Sequence, residues 1–284
     1  MREKLLLDIG LTPDLPAVVR LCRASKQHQL QAVTAVYGRQ PVQDACRALQ
    51  QCLGGPDGVP VYLGAAGPLF GEYRFAAWPD PEPQDTWAWD AIYRAALAAG
   101  GDIQLLAAGP LTNLAIFIKK YHDQRHLIKK ITVLGGARKF GDAGPYSEFG
   151  LWADPLAAQI VLESDIPYQF IGLDPVIEAG FTAADLAGIS RALDLPAPRQ
   201  KHRDWLDYTT PDPIDLAKAI AAAAYLHPET AAWQRFHAEV EVLPGPCRGR
   251  LLLHEKANFD QCFDMLWAQS LNAPKLLKVL GAAQ

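Results

Sequence analysis

At 284 residues, half of them hydrophobic and 20% charged, the chain has ordinary globular composition and enough length for a full-sized core. A formal net charge of −4, with basic residues scattered in short pairs such as Lys119/Lys120 and Lys129/Lys130, leaves no electrostatic footprint for nucleic acid. The one apolar run near the start, within residues 1–9, meets Asp8 at once and is too short for a signal peptide or a membrane span.

In chain order, apolar runs of strand length alternate with segments of helical period. A strand over 5–9 is followed by a helix over 17–25, and a strand over 32–37 by a helix over 42–53. Residues 78–89 (WPDPEPQDTWAW) read as a loop leading into a helix over 91–99. The strand 103–107 leads into a helix over 111–121; 131–134 is the next strand, and a helix over 155–164 precedes a strand over 168–173. Residues 196–213 (PAPRQKHRDWLDYTTPDP) interrupt the alternation before an alanine-rich helix over 214–224. Strands over 239–243 and 250–254, joined by a hairpin turn at 244–249 (PGPCRG), precede a last helix from about Asp260.

Uninterrupted apolar strands between helices predict an α/β fold, an open and mostly parallel sheet with helices on both faces. We read one domain over 1–284 with a small C-terminal elaboration. In such sheets the ligand sits outside the carboxyl ends of the strands. The loops to read for chemistry are therefore 8–16, 38–40, 108–113, 135–150 and the stretch from Asp174 onward. Five widely spaced cysteines (Cys22, Cys46, Cys52, Cys247, Cys262) without a C-x-x-C pair fit reduced thiols of a cytoplasmic protein, not a disulfide framework or a zinc site.

Four segments carry a family resemblance. Residues 107–115 read AAGPLTNLA, close to "GPLTNIA"; 133–137 read VLGGA, close to "LMGGA". Residues 148–161 read EFGLWADPLAAQIV, against "EFNxxxDPEAAxxV", and 166–174 read IPYQFIGLD, against "IPITMVGLD". In their order and spacing the chain resembles the inosine–uridine-type nucleoside hydrolases, from the first strand to about Asp174. In the C-terminal third, 236–242 and 259–266 resemble the family's closing strand and helix. Taken singly, the glycines are turn glycines, and Asp154 with Pro155 is an N-cap followed by proline at the first helical position. The four together outweigh that plainer reading.

The resemblance implies a nucleoside hydrolase-like, Rossmann-like fold and cleavage of the N-glycosidic bond of ribonucleosides. It also implies a calcium ion held by carboxylates, which binds the ribose diol and the attacking water while an aspartate takes the water's proton. Calcium wants six to eight oxygens, and metal-bound water beside a base is a better nucleophile. The family's opening motif, D-x-D-P-G-x-D-D, is here Asp8, Ile9, Gly10, Leu11, Thr12, Pro13, Asp14, Leu15. Asp8 survives, as does Asp14, which matches the ribose-binding aspartate. Gly10 stands where the family has its base and calcium ligand, and Leu15 where it has another ligand. Arg39 replaces an asparagine near the ribose, Gly150 the asparagine of "EFN", and Asp142 a further asparagine; Glu148 keeps the family's acid. Ala108 replaces a threonine that offers only its backbone carbonyl. The late "HDP" motif, whose aspartate completes the metal site, has Asp212 with Pro213 as one candidate and Lys218 as the residue in register if the helix carries no insertion.

From these positions we expect no cofactor, because the ligands at Gly10 and Leu15 are gone, with at most a weak or lost metal site at Asp8 and Asp14. Ligand contacts are expected from Asp14, Arg39, Asp142 and Glu148, and Arg39 is expected to neutralise Asp8 or Asp14 or to receive an anion such as a phosphorylated sugar. Two functions remain. In the first, calcium-dependent hydrolysis is lost and a ribose- or nucleoside-like small molecule is still bound. In the second, a divergent N-ribohydrolase uses Asp8, Asp142 or Asp212 as base, since oxocarbenium chemistry needs stabilised charge and an activated water. The first is favoured because losing a base costs about 10²–10⁴-fold. A homo-oligomer is expected, with neither nucleic acid nor membrane as a partner.

Other features read more simply. His122 and His126 lie four apart but lack a third ligand, so they read as a solvated helix end. Tyr73, Phe75, Trp78, Trp87 and Trp89 suit a base-stacking wall, with loop packing the plainer reading. His202, Asp204, Trp205 and Tyr208 are candidates for a lid.

Overall fold

The computed structural model describes residues 2–54, 58–70, 80–198, 212–255 and 263–282. Tyr73, Phe75, Trp78, the four lid candidates between 202 and 208, and Cys262 lie outside the described residues. The first half follows the predicted alternation: β1 (Glu3–Ile9), α1 (Leu15–Ala24), β2 (His28–Ala35), α2 (Val42–Leu53), β3 (Val61–Leu63) and α3 (Ala88–Ala98). Then come β4 (Ile103–Ala108), α4 (Thr112–Lys120), β5 (Ile128–Leu134), α5 (Phe149–Ala153), α6 (Pro155–Leu162), β6 (Tyr168–Ile171), α7 (Leu173–Ile177) and α8 (Ala183–Ala192). The chain closes with α9 (Ala217–Leu226), β7 (Ala231–Val240), β8 (Leu251–His254), β9 (Phe263–Leu271) and α10 (Ala273–Val279).

The strands form one nine-stranded sheet in the order β3-β2-β1-β4-β5-β6-β9-β7-β8. From β3 through β6 to β9 every pairing is parallel; β7 runs antiparallel to both β9 and β8. The α/β expectation is borne out. Leu5–Ile9 of β1 and all of β4 are buried on both faces, so these runs show no alternation toward water. One apolar cluster, with Leu7, Ile9, Val33 and all of α9 but Lys218, packs one face of the sheet. The other, with Leu105, Phe117, Ile131 and Trp267, packs the opposite face. Among the described residues no helix is long and apolar enough to cross a membrane.

Two expectations are corrected in the last third. The strand expected at 239–243 begins earlier and ends at Val240, although the hairpin to β8 forms as read. The helix expected from about Asp260 is instead β9, with the helix following only at α10. Period two explains it: Met265 and Trp267 are buried while Leu266 between them is exposed. That alternation lets the strand slot between β6 and β7, which no local helical propensity outweighs.

Candidate functional site

The strand order reverses about β1, which has β2 on one side and β4 on the other. Outside the carboxyl ends of these strands lies a cavity of about 440 Å³, where an open α/β sheet places its ligand. The loops after β1, β2, β4 and β5 and the first turn of α9 line it. A Cβ on Gly109 would stand 2.7 Å from Val36 and 2.9 Å from the Gly10 nitrogen, so a glycine lets the loop after β4 lie against the loop after β1. A Cβ on Gly10 would stand 3.3 Å from the Tyr37 carbonyl oxygen, close but open to relaxation.

Three charged groups meet at the cavity floor. Asp14, at the start of α1, accepts from Thr12 Oγ1 at 2.9 Å and from the Ala219 N–H at 2.8 Å, which joins α1 to α9. Burial pushes its carboxyl up to about 6, against those two bonds and the nearby Lys218 charge. Glu148 caps α5; its Oε2 accepts from the Gly136 and Leu151 N–H groups at 3.2 and 3.3 Å. Its Oε1 accepts from Lys218 Nζ at 2.8 Å, and Lys218 also donates to the Leu134 carbonyl. Burial raises Glu148, but the ammonium and the backbone donors outweigh it and hold the carboxyl below its ordinary value.

Nearer the mouth, Asp142 Oδ1 accepts from the Phe149 N–H at 2.6 Å. Arg39 Nη2 donates to the Asp142 carbonyl at 2.9 Å and pairs with its Oδ2 at 3.4 Å, while the guanidinium lies 4.4 Å above the Phe149 ring. Burial and the neighbouring Glu148 push Asp142 up; Arg39 and Lys218 pull it back. The loop carrying Asp142 is held at its other end by Asp174, whose carboxylate accepts from the N–H groups of Arg138, Lys139 and Phe140 at 2.7, 2.7 and 3.2 Å.

Of the residues expected at the site, Asp14, Arg39, Asp142 and Glu148 line the cavity and Asp8 and Asp212 do not. Asp8 is fully buried within the sheet: its Oδ1 accepts from Thr34 Oγ1 at 2.6 Å and Asn113 Nδ2 at 2.7 Å, and its Oδ2 is without a partner. Asp212 lies before a 3-10 turn at Ile214–Leu216, where its Oδ1 accepts from the Ile214 N–H. That turn takes up part of the length read as helix, and Lys218, in the first turn of α9, lines the cavity. The expectation that Arg39 neutralises Asp8 or Asp14 is corrected, because Asp142 takes it and Lys218 is the cation beside Asp14. Sequence reading missed Asp215 and Phe149 on the cavity wall. Trp87 and Trp89 stack on each other 5.4 Å apart at the start of α3, away from the cavity-lining set.

Burial pushes Asp8 up to about 7, against the donors Asn113 and Thr34. The native state therefore holds a proton that the unfolded chain has lost between about pH 4 and 7, and stability falls as pH rises through that window. The full effect is about 4 kcal/mol at roughly 1.4 kcal/mol per pH unit. In chelator, urea unfolding of Asp8→Asn between pH 4.5 and 7.5 should lose less stability than the unaltered protein by most of that amount. Parallel pH profiles would refute it.

Solved structures share the fold. A plant nucleoside hydrolase (PpNRh1) superposes with a TM-score of 0.84 at 21% identity, covering 99% of this chain and 98% of that one. A purine-preferring ribonucleoside hydrolase from Gardnerella vaginalis superposes with a TM-score of 0.76 at 23% identity, covering 99% and 97%. Pyrimidine-specific ribonucleoside hydrolases named RihB, from Escherichia coli O1:K1 / APEC and from Shigella sonnei (strain Ss046), are 27% identical over 277 residues, 89% of this chain and 88% of theirs. The chain belongs to the inosine-uridine preferring nucleoside hydrolase family, whose model matches residues 7–278.

That membership corrects the expectation of no cofactor, since it brings calcium with it as the ion the site must be tested against. The test is one of donors. Asp8 offers one buried oxygen without a partner, and both Asp14 oxygens already accept hydrogen bonds. Gly10 and Leu15 offer no side-chain oxygen, and Lys218 brings an ammonium. Among the described residues no three His, Cys, Asp or Glu side chains gather to hold a metal. The carboxylate set does not fit a tight calcium site. Water and backbone carbonyls also serve calcium, so the shortfall bears on affinity and not on whether the ion is used.

Proposed function

We propose that the cavity binds the ribosyl part of a nucleoside-like small molecule and that hydrolysis of common ribonucleosides is defective. One observation carries this reading: a largely enclosed ammonium, Lys218, sits 2.8 Å from Glu148 at the cavity floor, while Gly10 leaves no carboxylate where the family resemblance places the base. Lys218 has three N–H donors and spends two of them, on Leu134 and Glu148. The third, with the remaining acceptor capacity of Asp14 and Glu148, suits a sugar diol that must both donate and accept. Asp8 is walled off from the cavity, and Asp142 is held by Arg39 and the Phe149 N–H, which leaves neither poised to take a proton from water. The reading includes one domain over 1–284, a homo-oligomer and a cytoplasmic location. The family resemblance supports the oligomer, and the four unpaired cysteines among the described residues support the compartment.

Isothermal titration of ribose, inosine and uridine, each with and without calcium, tests the binding. Saturable heat with ribose and at least one nucleoside is expected; no heat with any of the three, in either condition, would defeat the reading.

A further inference from the structure

We propose that the ribosyl ligand of this cavity is a phosphate monoester, with Arg39 as the anchor for its phosphate. The inference rests on the ribosyl reading above and adds the chemical class of the ligand. The floor and the mouth of the cavity differ in kind. At the floor, Asp14 and Glu148 are 1% and 3% exposed and their charges are met by Lys218 and by backbone N–H groups. At the mouth stands Arg39, with its side chain 48% exposed.

Its guanidinium is oriented but not spent. Stacking on Phe149 sets the plane, and Nη2 alone is bound, to Asp142. Among the described residues Nε and Nη1 make no hydrogen bond. Nε–H and Nη1–H point to opposite edges of the plane, each edge shared with Nη2, so the outer edge offers one uncommitted charged donor, fixed in direction beside the shared Nη2, to the oxygens of a phosphate. A neutral sugar hydroxyl gains little from such an edge. A structural role for Arg39, bridging the loops after β2 and β5, is met by Nη2 and leaves the other nitrogens unexplained.

The neighbouring acids set where an anion enters. Asp142 and Glu148 hold Arg39 and Lys218 from the inside, so a phosphate approaches only along the outer edge of Arg39. Solvent screens it there from both carboxylates. The sugar then extends inward to Asp14, Glu148 and Lys218.

Calorimetric titration of the full chain with ribose, ribose 5-phosphate, uridine 5′-monophosphate and inorganic phosphate separates the possibilities, repeated with Arg39→Gln and Arg39→Lys. Ribose 5-phosphate, or the nucleotide, is expected to bind at least about tenfold more tightly than ribose. That ratio should fall below about twofold in Arg39→Gln and be only partly recovered in Arg39→Lys, which keeps the charge without the fork. Ribose binding as tight as ribose 5-phosphate and the nucleotide in the unaltered protein overturns the inference and leaves the ribosyl reading standing. A preference that survives Arg39→Gln, or inorganic phosphate binding as tightly as the sugar phosphate, also overturns it. Failure of every ligand to bind removes the ribosyl reading and this inference together.

Discussion

The double variant Gly10→Asp/Lys218→Asp is expected to bind calcium roughly 100-fold or more tightly than the unaltered protein, since ligand charge count sets calcium affinity. Hydrolysis of inosine or uridine should rise on the order of 10²–10⁴-fold as a base returns. Gly10 stands where the resemblance puts a carboxylate that is both base and ligand, and the nearest atom to a new Cβ is 3.3 Å away. Lys218 stands where it puts another when the helix is aligned without an insertion. Replacing it removes one positive charge and adds a negative one, beside Glu148 and Asp14. Leu15 is left alone because it is fully buried at the start of α1, where a carboxylate without partners destabilises the fold by several kcal/mol, by estimate. Without calcium the double variant should melt below the unaltered protein through repulsion among the acids, and calcium should reverse that loss. Calcium titration by calorimetry and thermal shift, alongside a nucleoside assay, checks it. A variant that folds yet shows no gain in calcium affinity would mean that these two positions do not control the metal.

Lys218→Met is expected to abolish ribose binding and to cost about 3–5 kcal/mol at pH 8, the usual range for breaking a buried pair by removing one partner. Glu148 is 3% exposed, so it loses its counter-charge where water cannot replace it. The pH dependence gives the sign. In the unaltered protein Glu148 is held low, so its stabilising contribution is present above its unfolded value and lost as pH falls through the lower folded one. Without the ammonium, burial is the leading influence and raises the carboxyl. The variant then loses stability as pH rises above the unfolded value. The difference between the two proteins should therefore be small near pH 4 and reach its maximum by pH 8. Urea unfolding at both pH values checks this, and a loss equal at the two would assign the effect to packing instead of charge.

How much of this was legible in the sequence depends on whether the determinant was local. β1 and β4 declare themselves as continuous apolar runs, because burial on both faces leaves no room for alternation. The glycines and acids at their carboxyl ends were in reach for the same reason, since the parallel fold fixes where those loops lie. Asp14, Arg39, Asp142 and Glu148 were thus legible as cavity residues. Their pairing was not. Arg39 chooses Asp142 across 103 positions of sequence, a choice made by the register of two loops. Asp8 sits one strand position short of the mouth and turns into the sheet, where Thr34 and Asn113 receive it.

Lys218 is the instructive case. The helix α9 is buried nearly all round, with Ala219 through Ala224 between 0% and 2% exposed. A lysine in its first turn needed a buried acid nearby, and the sequence contained that signal. What concealed it was the Asp212–Pro213 pair, which offered a better match to the family's motif until the 3-10 turn moved it away from the cavity. β9 was lost to a different cause: it slots between β7 and β6, the latter from a distant part of the chain, and only that pairing makes its period-two pattern decisive.

The most direct test of defective hydrolysis is kcat/KM for inosine and uridine, measured on the unaltered protein in millimolar calcium at pH 7.5. Loss of the base at Gly10 predicts values at least about 10²-fold below the roughly 10⁴–10⁸ M⁻¹s⁻¹ of ordinary enzymes. A value within that ordinary range for either nucleoside would contradict it and show that this site supplies a base that Gly10 does not.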